Sequence, residues 1–376
     1  MTGGSPSIVR AVESRRDFRR FINYPYARHA ADPHWIPPLR LSETERLSPK
    51  HNPFFAHADV ALLLAWRNGL VVGRIAAIDD RLHRQAHGDN VAMFGFFEAA
   101  DADAAQALLA AVDTWARARG RAAVRGPINL SLNESAGLLV DGFDTDPMVL
   151  MPHNPPEYGS FIETAGYAKV KDLFAWIRDL DLPMPPAIVQ AAAKVRAREG
   201  IVVRPLKLTE FAREIEGLRE IYCGAWERNW GFVAPTPEEF RRIVKELRPI
   251  FDANCAVCAE VNGRMIACAI AIPDINQALK GTSGRLFPTA LLRLLGRKWT
   301  VDQIRLLLLG VLAEYRNRGI YPLLLAELHR QIVTNTRYRK IEFSWVLENN
   351  RAINHAAEMV GARHYQTYRI YQKALA

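Results

Sequence analysis

The fold is decided by the stretch Val311-Leu312-Ala313-Glu314-Tyr315-Arg316-Asn317-Arg318-Gly319-Ile320-Tyr321. It follows the apolar run 304–309, which predicts a strand, and it leads into apolar residues at helical spacing. A strand that enters a helix through an Arg-x-x-Gly loop is suited to hold a phosphate, because the glycine permits a tight turn and the helix N-terminus offers N–H groups and partial positive charge. An ordinary turn with solvated arginines is the alternative interpretation of so short a pattern.

The order of the elements around this loop favours the phosphate site. A second apolar run, 341–347, follows the helix, and Glu348-Asn349-Asn350-Arg351-Ala352-Ile353 opens another helix. The loop resembles the pyrophosphate-binding motif of the GNAT acyltransferase superfamily, Val-x-x-x-Tyr-Arg-x-x-Gly-x-Gly/Ala, and the Asn-x-x-Ala-Ile helix is similar to the superfamily's next motif. Tyr321 departs from this pattern, since Gly or Ala is usual there, and the departure leaves the pose of coenzyme A open.

The resemblance implies that an acyl-CoA co-substrate binds along this loop, with no permanently bound cofactor and no metal. The residues expected to bind it are Gly310, Val311, Leu312, Arg316, Asn317, Arg318, Gly319, Ile320 and Asn350. The resemblance also implies that backbone N–H groups of residues 310–312 donate to the thioester oxyanion.

The composition is that of a globular chain long enough for two domains. Of its 376 residues, 49% are apolar and 24% are charged. No run of about eighteen uncharged apolar residues predicts a membrane span, and residues 1–10 lack the apolar core of an export signal. Four cysteines are too few and too clustered for a disulfide framework, and nothing completes a zinc set around Cys255 and Cys258. We therefore expect buried thiols and a cytoplasmic location.

Both halves of the chain repeat one order of elements. A hairpin, a strand, a helix, a strand, a helix and a closing strand follow one another, with Asn68-Gly69 and Asn262-Gly263 as the two tight turns. This order predicts a mixed α/β sheet covered by helices, and the resemblance implies two tandem GNAT domains. We place the domains at 1–182 and 188–376, because three prolines interrupt the pattern between them.

The first half lacks a phosphate loop. Its strand-to-helix junction reads Glu98-Ala99-Ala100-Asp101-Ala102-Asp103, with no glycine, no arginine and three carboxylates. These carboxylates would repel a pyrophosphate, and an aspartate at this place is a good helix cap. We therefore expect the first domain to be degenerate in its phosphate loop and to serve as a scaffold, or as a wall for the acceptor or the acyl chain.

Several longer segments resemble a bacterial family of tandem GNAT acyltransferases that includes bacterial ceramide synthase. They are DPHWIPPL (32–39), NPFF (52–55), GRIAA (73–77), GPINLS (126–131), GLLVDGFD (137–144), GYAKVKDL (166–173) and WERNWGF (226–232). This resemblance spans the chain and implies an N-acyltransferase that moves a long-chain acyl group from acyl-CoA to the amine of a lipid, most directly a sphingoid base. Membership does not fix the substrate.

An insertion at 274–302 is too long for an ordinary link between strands. Its part 286–299 predicts a short helix with a proline near its start, a glycine near its end and a leucine-rich face. The basic residues around it are Lys280, Arg285, Arg293, Arg297 and Lys298, and no acid lies between 278 and 301. Basic residues, a tryptophan and a leucine-rich face are typical of a segment that docks on an anionic inner membrane. The alternative is a helix packed on its own sheet.

The general base has two candidates. Glu348 stands at the end of a predicted strand, where a plain capping carboxylate fits as well. Glu227 is the second, since the resemblance places the loop 226–232 beside the acceptor, where Trp226 and Trp230 would flank an alkyl chain unless they are ordinary core aromatics.

Proton donors and polar contacts are less defined. His355 lies one turn beyond Arg351, although a lone helical histidine is usually only packed or solvated. The tyrosine that GNAT enzymes often use as the acid is absent, so Tyr321 or Tyr365 substitutes for it, or the thiolate leaves unassisted because a thiol pKa is only about 8–9. The first half adds a polar loop that predicts either amine binding or simple turns, with Asn129, Asn133, Glu134, Asp141 and Asp144.

Three classes of function compete. The formal net charge of +9 suits nucleic acid, cofactor phosphates and anionic lipid equally. Aminoacyl or acetyl transfer to another amine by a GNAT enzyme is the second enzymatic hypothesis. A nucleic-acid-binding regulator ranks last, and no nucleic-acid partner is expected, because the sequence shows no helix-turn-helix with interleaved basic residues and no aromatic stacking platform.

Overall fold

The computed structural model describes residues 5–197, 200–207, 211–227, 229–316 and 318–375. The strands are β1 Ile8–Ala11, β2 Ala58–Arg67, β3 Leu70–Asp80, β4 Val91–Ala99, β5 Ala123–Gly126, β6 Ile128–Asn129, β7 Ser135–Ala136, β8 Leu138–Asp141, β9 Ala168–Asp179, β10 Ile201–Pro205, β11 Ala256–Val261, β12 Arg264–Pro273, β13 Gln303–Val311, β14 Lys340–Leu347 and β15 Arg363–Ala374. The helices are α1 Arg15–Arg28, α2 Arg40–Arg46, α3 Arg81–His87, α4 Ala102–Arg117, α5 Tyr158–Thr164, α6 Pro186–Arg196, α7 Phe211–Trp226, α8 Pro237–Leu247, α9 Asn276–Leu279, α10 Leu291–Leu295, α11 Arg297–Thr300, α12 Ile320–Asn335 and α13 Arg351–Met359.

The chain divides into two compact units. The first unit contains the residues up to Leu173, the segment Leu279–Leu294 and the residues from Gln366 onward. The second unit contains Phe174–Ala278 and Leu295–Tyr365.

The sheet of the first unit follows the chain from β1 to β5. Neighbouring strands are antiparallel up to β4, and β4 then pairs with β5 in parallel. The C-terminal part of β15 adds to β5 and also pairs with β8. Helix α4 covers this sheet with the fully buried side chains of Leu108, Leu109 and Val112.

The sheet of the second unit repeats this pattern from β10 to β14. Its strands are antiparallel up to β13, and β13 then pairs with β14 in parallel. Helix α12 packs with Ile304 and Leu306 on one face of the sheet, whereas Ile221 of α7 packs with Leu308 on the other. The change of face comes from a bulge at residue 307, since Leu306 lies opposite Ala271 and Leu308 opposite Ile270. The predicted mixed sheets are therefore present in both halves.

Both predicted hairpin turns are present. Asn68 and Gly69, and likewise Asn262 and Gly263, have positive φ angles, which is the conformation that a two-residue hairpin turn requires. The sequence did not predict α2 and α3, nor α6, which starts at the prolines that were interpreted as a linker. Proline suits the first turn of a helix, because the N–H that it lacks has no partner there anyway.

The compact units do not coincide with the domains drawn along the chain. The segment Leu279–Leu294 and the residues from Gln366 onward group with the first unit, and the chain passes into the second unit at Phe174 rather than at 182–187. Local patterns carry no information on which distant strand a segment joins, so the division 1–182 and 188–376 stays a prediction.

The insertion 274–302 forms short helices. A five-residue helical turn, Leu286–Ala290, contains Pro288 and runs into α10, and Gly296 separates α10 from α11. The predicted short helix with a proline near its start and a glycine at its end is therefore present over 286–295, and residues 297–300 form a separate helical turn.

Candidate functional site

The loop between β13 and α12 has the geometry of an anion site. Gly319 is the N-cap of α12 with φ of 77°, and a Cβ at this position would lie 2.8 Å from Cγ2 of Val195. A side chain would therefore be strained by its backbone and would also collide with α6, which explains why glycine stands here.

The first turn of α12 offers backbone N–H groups. No side chain of the described residues caps this helix, and its first turn contains no acid. Ile320 and Tyr321 carry the first N–H groups, while Pro322 contributes none. A helix of 16 residues with an uncapped, acid-free N-terminus favours an anion at that end.

The two arginines of the loop have different environments. The Nη2 group of Arg316 donates to the carbonyls of Gly224 at 2.8 Å and Ala225 at 3.1 Å, so its charge lies at the C-terminal end of α7. Arg318 is exposed, and its guanidinium lies 5.0 Å from the ring centre of Tyr315. Asn317, which was also expected to bind the cofactor, lies outside the described residues.

The corresponding junction of the first unit is already filled by its own side chains. Asp101 caps α4 by accepting from the N–H of Ala104 at 3.0 Å, and Arg67 pairs with Asp101 at 2.6 Å and with Asp103 at 2.8 Å. The hydrogen bond from Arg67 holds the pKa of Asp101 at about 2. This helix N-terminus therefore already has an anionic partner from its own chain.

Strands β13 and β14 separate just before the loop. Their paired register runs from Gln303–Lys340 to Leu306–Phe343, although the strands continue to Val311 and Leu347. The N–H of Leu312 donates to Ile266 on β12. Since N–H groups alternate along a strand, those of Leu309 and Val311 point to the β14 side. Within the predicted set 310–312, the N–H of Val311 thus faces the side on which the two strands separate, and its role as an oxyanion donor stays a prediction.

A buried polar network lies beside this separation. Arg305 is the neighbour of Glu342 in the ladder, and its Nε lies 3.6 Å from the Glu342 carboxylate. Ser344 and Tyr365 both donate hydroxyl hydrogen bonds to that carboxylate, and Arg305 donates to the Ser344 hydroxyl at 2.7 Å. Glu342 is fully buried, and Tyr365 is half-buried.

Burial dominates the protonation of Glu342. It raises the pKa of this carboxyl to about 7, while the charge of Arg305 and the Ser344 hydroxyl act in the opposite direction. A carboxyl of this kind exchanges a proton near neutral pH, as acid–base chemistry requires.

The predicted catalytic side chains lie in varied surroundings. Glu348 is half-buried between β14 and α13, and Glu227 is exposed directly after α7. His355 points outward and lies 3.6 Å from Glu358 one turn along α13. Tyr321 is half-buried, and burial raises the pKa of its hydroxyl against the opposing charge of Arg316. Tyr321 therefore keeps its proton and has the protonation state of an acid.

Other predicted residues of the second unit have structural contacts. Asn350 caps α13 by accepting from the N–H of Ile353 at 3.3 Å. The Trp226 ring lies 4.4 Å from that of Tyr222 and 6.1 Å from that of Phe232, so it belongs to an aromatic cluster, and Trp230 is half-buried. The role of these residues toward an alkyl chain stays a prediction.

The predicted amine-binding loop belongs to the first unit. Asn129 accepts from the N–H of Phe96 at 2.7 Å, which supports a residue with positive φ. Asn133 takes part in a turn by donating its N–H to Ser131, and Asp144 is exposed. The contacts of Asn129 and Asn133 fit the turn-forming interpretation, and amine binding stays a prediction.

The sequence patterns did not identify Arg305, Glu342 and Ser344 as candidate site residues. A signal was available, because each interrupts an apolar strand: Arg305 stands between Ile304 and Leu306, and Glu342 follows Ile341. Charged residues inside such runs need partners, and the partners of Glu342 include Arg305 on β13 and Tyr365 on β15.

Metal and membrane features can be stated for the described ranges only. Within them, no group of three or more His, Cys, Asp or Glu side chains is arranged to hold a metal ion. Over the same ranges, none of the helices combines the length and the apolar character needed to cross a bilayer. The four cysteines are free thiols, and burial raises the pKa of Cys258 to about 12.

Two proteins are similar to this chain over nearly their full length. Bacterial ceramide synthase of Caulobacter vibrioides (strain NA1000 / CB15N) is 40% identical over 381 residues, which cover 100% of this chain and 99% of the relative. Protein YghO of Escherichia coli (strain K12) is 36% identical over 375 residues, which cover 98% and 95%. The chain matches no protein-family model.

Solved structures share the fold. A tandem GNAT protein from the clavulanic acid biosynthesis pathway has a TM-score of 0.57 at 13% identity, over 98% of this chain and 99% of the other. A GCN5-related glucosamine N-acetyltransferase region in a fungal multi-domain GH3 β-N-acetylglucosaminidase has a TM-score of 0.54 at 15% identity, over 99% of this chain and 38% of the other. The predicted tandem GNAT fold is confirmed.

Proposed function

This chain belongs to the family of bacterial ceramide synthase and is an acyltransferase, and we propose that it transfers a long-chain acyl group from acyl-CoA to the amine of a lipid, most directly a sphingoid base. The observation that carries the proposal is the 40% identity to bacterial ceramide synthase along the whole chain. The relative's name supplies the ceramide product, and a ceramide is an N-acylated sphingoid base.

The second unit supports acyl-CoA as the donor. The uncapped N-terminus of α12 and the exposed Arg318 are suited to a diphosphate, and Gly319 keeps the loop clear of side chain. In this account coenzyme A is a co-substrate that enters with each acyl group and leaves as the free thiol.

The separated strands suit the chemistry of amide formation. The amine attacks the thioester carbonyl, and the developing oxyanion accepts from main-chain N–H groups such as that of Val311. The C–S bond then breaks and the thiolate leaves. Tyr321 is the proposed proton donor to that thiolate, because its half-buried phenol lies in the first turn of α12, directly after the loop.

We also propose that the protein works in the cytoplasm and docks on the inner membrane through the segment 285–299. The side chains of Phe287, Leu292, Leu295 and Trp299 are 73%, 67%, 63% and 71% exposed, which is unusual for residues of this size. Arg285, Arg293 and Lys298 are exposed in the same segment. Exposed apolar side chains among cations favour an anionic lipid surface, where each cation contributes about 1 kcal/mol.

The proposed reaction is tested with the purified protein, palmitoyl-CoA and sphinganine. We expect an N-palmitoyl product by mass spectrometry, with release of one free thiol for each amide formed. Replacing palmitoyl-CoA by acetyl-CoA tests for acetyl transfer, and thermal-shift titration with RNA tests for nucleic-acid binding. Acetylation without long-chain transfer, or stabilisation by RNA alone, would overturn the proposal.

A further inference from the structure

The polar network in the second unit lies on the face of the sheet opposite α12. Ile304 and Leu306 pack on the α12 side, so Arg305 between them points the other way, and Glu342 lies beside it on β14. This pair immediately precedes Leu306–Phe343, the last registered pair before the strands separate. The network is therefore next to the opening at which a thioester carbonyl would meet Leu309 and Val311.

The members of the network differ in their access to solvent. Glu342, Arg305 and Ser344 are buried, with 0%, 3% and 9% of their surface exposed, whereas Tyr365 is half-buried. Tyr365 is therefore the member that a substrate can reach. Its hydroxyl donates to Glu342, so a lone pair of the Tyr365 oxygen remains to accept a proton from an incoming amine.

We propose that Tyr365 and Glu342 form the proton relay that deprotonates the amine during acyl transfer. The inference rests on the proposed function and replaces Glu348 and Glu227 as the base. Tyr365 is the residue that meets the amine, and Glu342 acts through it as the final proton acceptor.

The step balances in atoms and charge. The amine nitrogen forms a bond to the thioester carbon, and its proton passes to the Tyr365 oxygen while the Tyr365 proton passes to the Glu342 carboxylate. The carbonyl re-forms as the C–S bond breaks, and coenzyme A leaves as a thiolate that Tyr321 or solvent protonates. No oxidant, metal or further reactant takes part.

The charges around Glu342 set its role. Arg305 from β13 pairs with it, and Ser344 on its own strand and Tyr365 from β15 hydrogen-bond to it. On the other face of the sheet, the neighbouring Ile341 packs with α12 and with Ala357 of α13. Arg305 stabilises the carboxylate, and burial opposes it, with the result that the pKa stands at about 7. The carboxylate therefore holds and releases a proton at the pH of the cytoplasm.

The relay is tested by the pH profile of kcat/KM for palmitoyl-CoA and sphinganine between pH 5.5 and 9. In the native chain, activity should rise with pH along one acid limb, because Glu342 must be ionised to accept the proton. E342Q and Y365F should each lower kcat roughly 10²-fold or more, and E342Q should lose that limb. E342D should restore part of the rate.

Ser344→Ala separates a chemical role from a structural one. The Ser344 hydroxyl stabilises the ionised carboxylate, so its loss should move the acid limb to higher pH. The matched control is E214Q, which removes the charge of another buried carboxylate of this unit, paired with Arg204 at 2.7 Å, and should leave the profile unchanged. A thermal-shift measurement of palmitoyl-CoA binding shows that each variant is folded.

Two results overturn the relay. One is an E342Q or Y365F protein that binds palmitoyl-CoA and keeps the native kcat. The other is a Ser344→Ala profile that coincides with the native one, and this result decides the matter if E342Q does not fold. If the native protein makes no N-acyl product at all, the proposed function fails instead.

Discussion

At the scale of single residues, the two loop arginines illustrate how identical side chains take different roles. Arg316 is bound to the last carbonyls of α7, whereas Arg318 is exposed beside the start of α12. Both arginines have the same predicted function in the sequence, because residue spacing shows neither that α7 approaches the loop nor that its last carbonyls need donors.

Arg316→Ala should therefore lower stability and Arg318→Ala should lower affinity. Loss of the charged hydrogen bonds of Arg316 should cost roughly 1–3 kcal/mol of unfolding free energy, measured by urea denaturation. Arg318→Ala should leave that value within about 0.5 kcal/mol and weaken palmitoyl-CoA binding roughly 3–10-fold by calorimetry. Arg330→Ala, at an exposed site of α12, is the control. Equal effects of the first two variants would contradict this division.

At the scale of elements, the parallel pair β13–β14 contains the buried carboxyl of Glu342, which makes the stability of the protein depend on pH. Glu342 has a pKa of about 7 in the folded protein, against 4.5 for an ordinary glutamate. Between these values the folded state keeps a proton that the unfolded state releases, so stability falls as pH rises through this window. Below 4.5 and above 7, this residue contributes no pH dependence.

E342Q should gain stability relative to the native protein as pH rises from 5 to 7. Since one proton is involved, the difference in unfolding free energy should change by up to about 1.4 kcal/mol per pH unit. The quantity to measure is the difference in unfolding free energy between E342Q and the native protein, from urea denaturation at each pH. The contributions of the other titrating groups cancel in this difference. A difference that stays constant across the window would show that Glu342 titrates normally.

At the scale of the whole molecule, local patterns predicted more than long-range pairing did. The sequence predicted the two hairpins, the strand–loop–helix order around Gly319 and the acidic junction of the first half. These features were predictable because turn chemistry and periodicity lie within short windows of sequence. The Glu342 network was not, since its members come from three strands that are far apart in sequence. For the same reason, the sequence did not predict that the residues from Gln366 onward group with the first unit.

Membrane docking is also a property of the whole protein, and charge reversal tests it. A variant with Arg285→Glu, Arg293→Glu and Lys298→Glu should lose most of its co-sedimentation with anionic liposomes, because each change replaces an attraction of about 1 kcal/mol by a repulsion. Arg241→Glu, at an exposed site of α8, is the control for a charge reversal outside the segment. Unchanged sedimentation of the triple variant would remove the segment 285–299 from the account.

Amide hydrogen exchange with and without palmitoyl-CoA tests most directly where the thioester binds. The account predicts slower exchange at the start of α12, at the N–H groups of residues 319–321, 323 and 324, and at Leu309 and Val311, because the ligand's diphosphate and carbonyl accept from these N–H groups. Residues 101–105 should exchange at the same rate in both samples. Protection confined to 101–105, with none at 319–324, would contradict the assignment of the acyl-CoA site to the second unit.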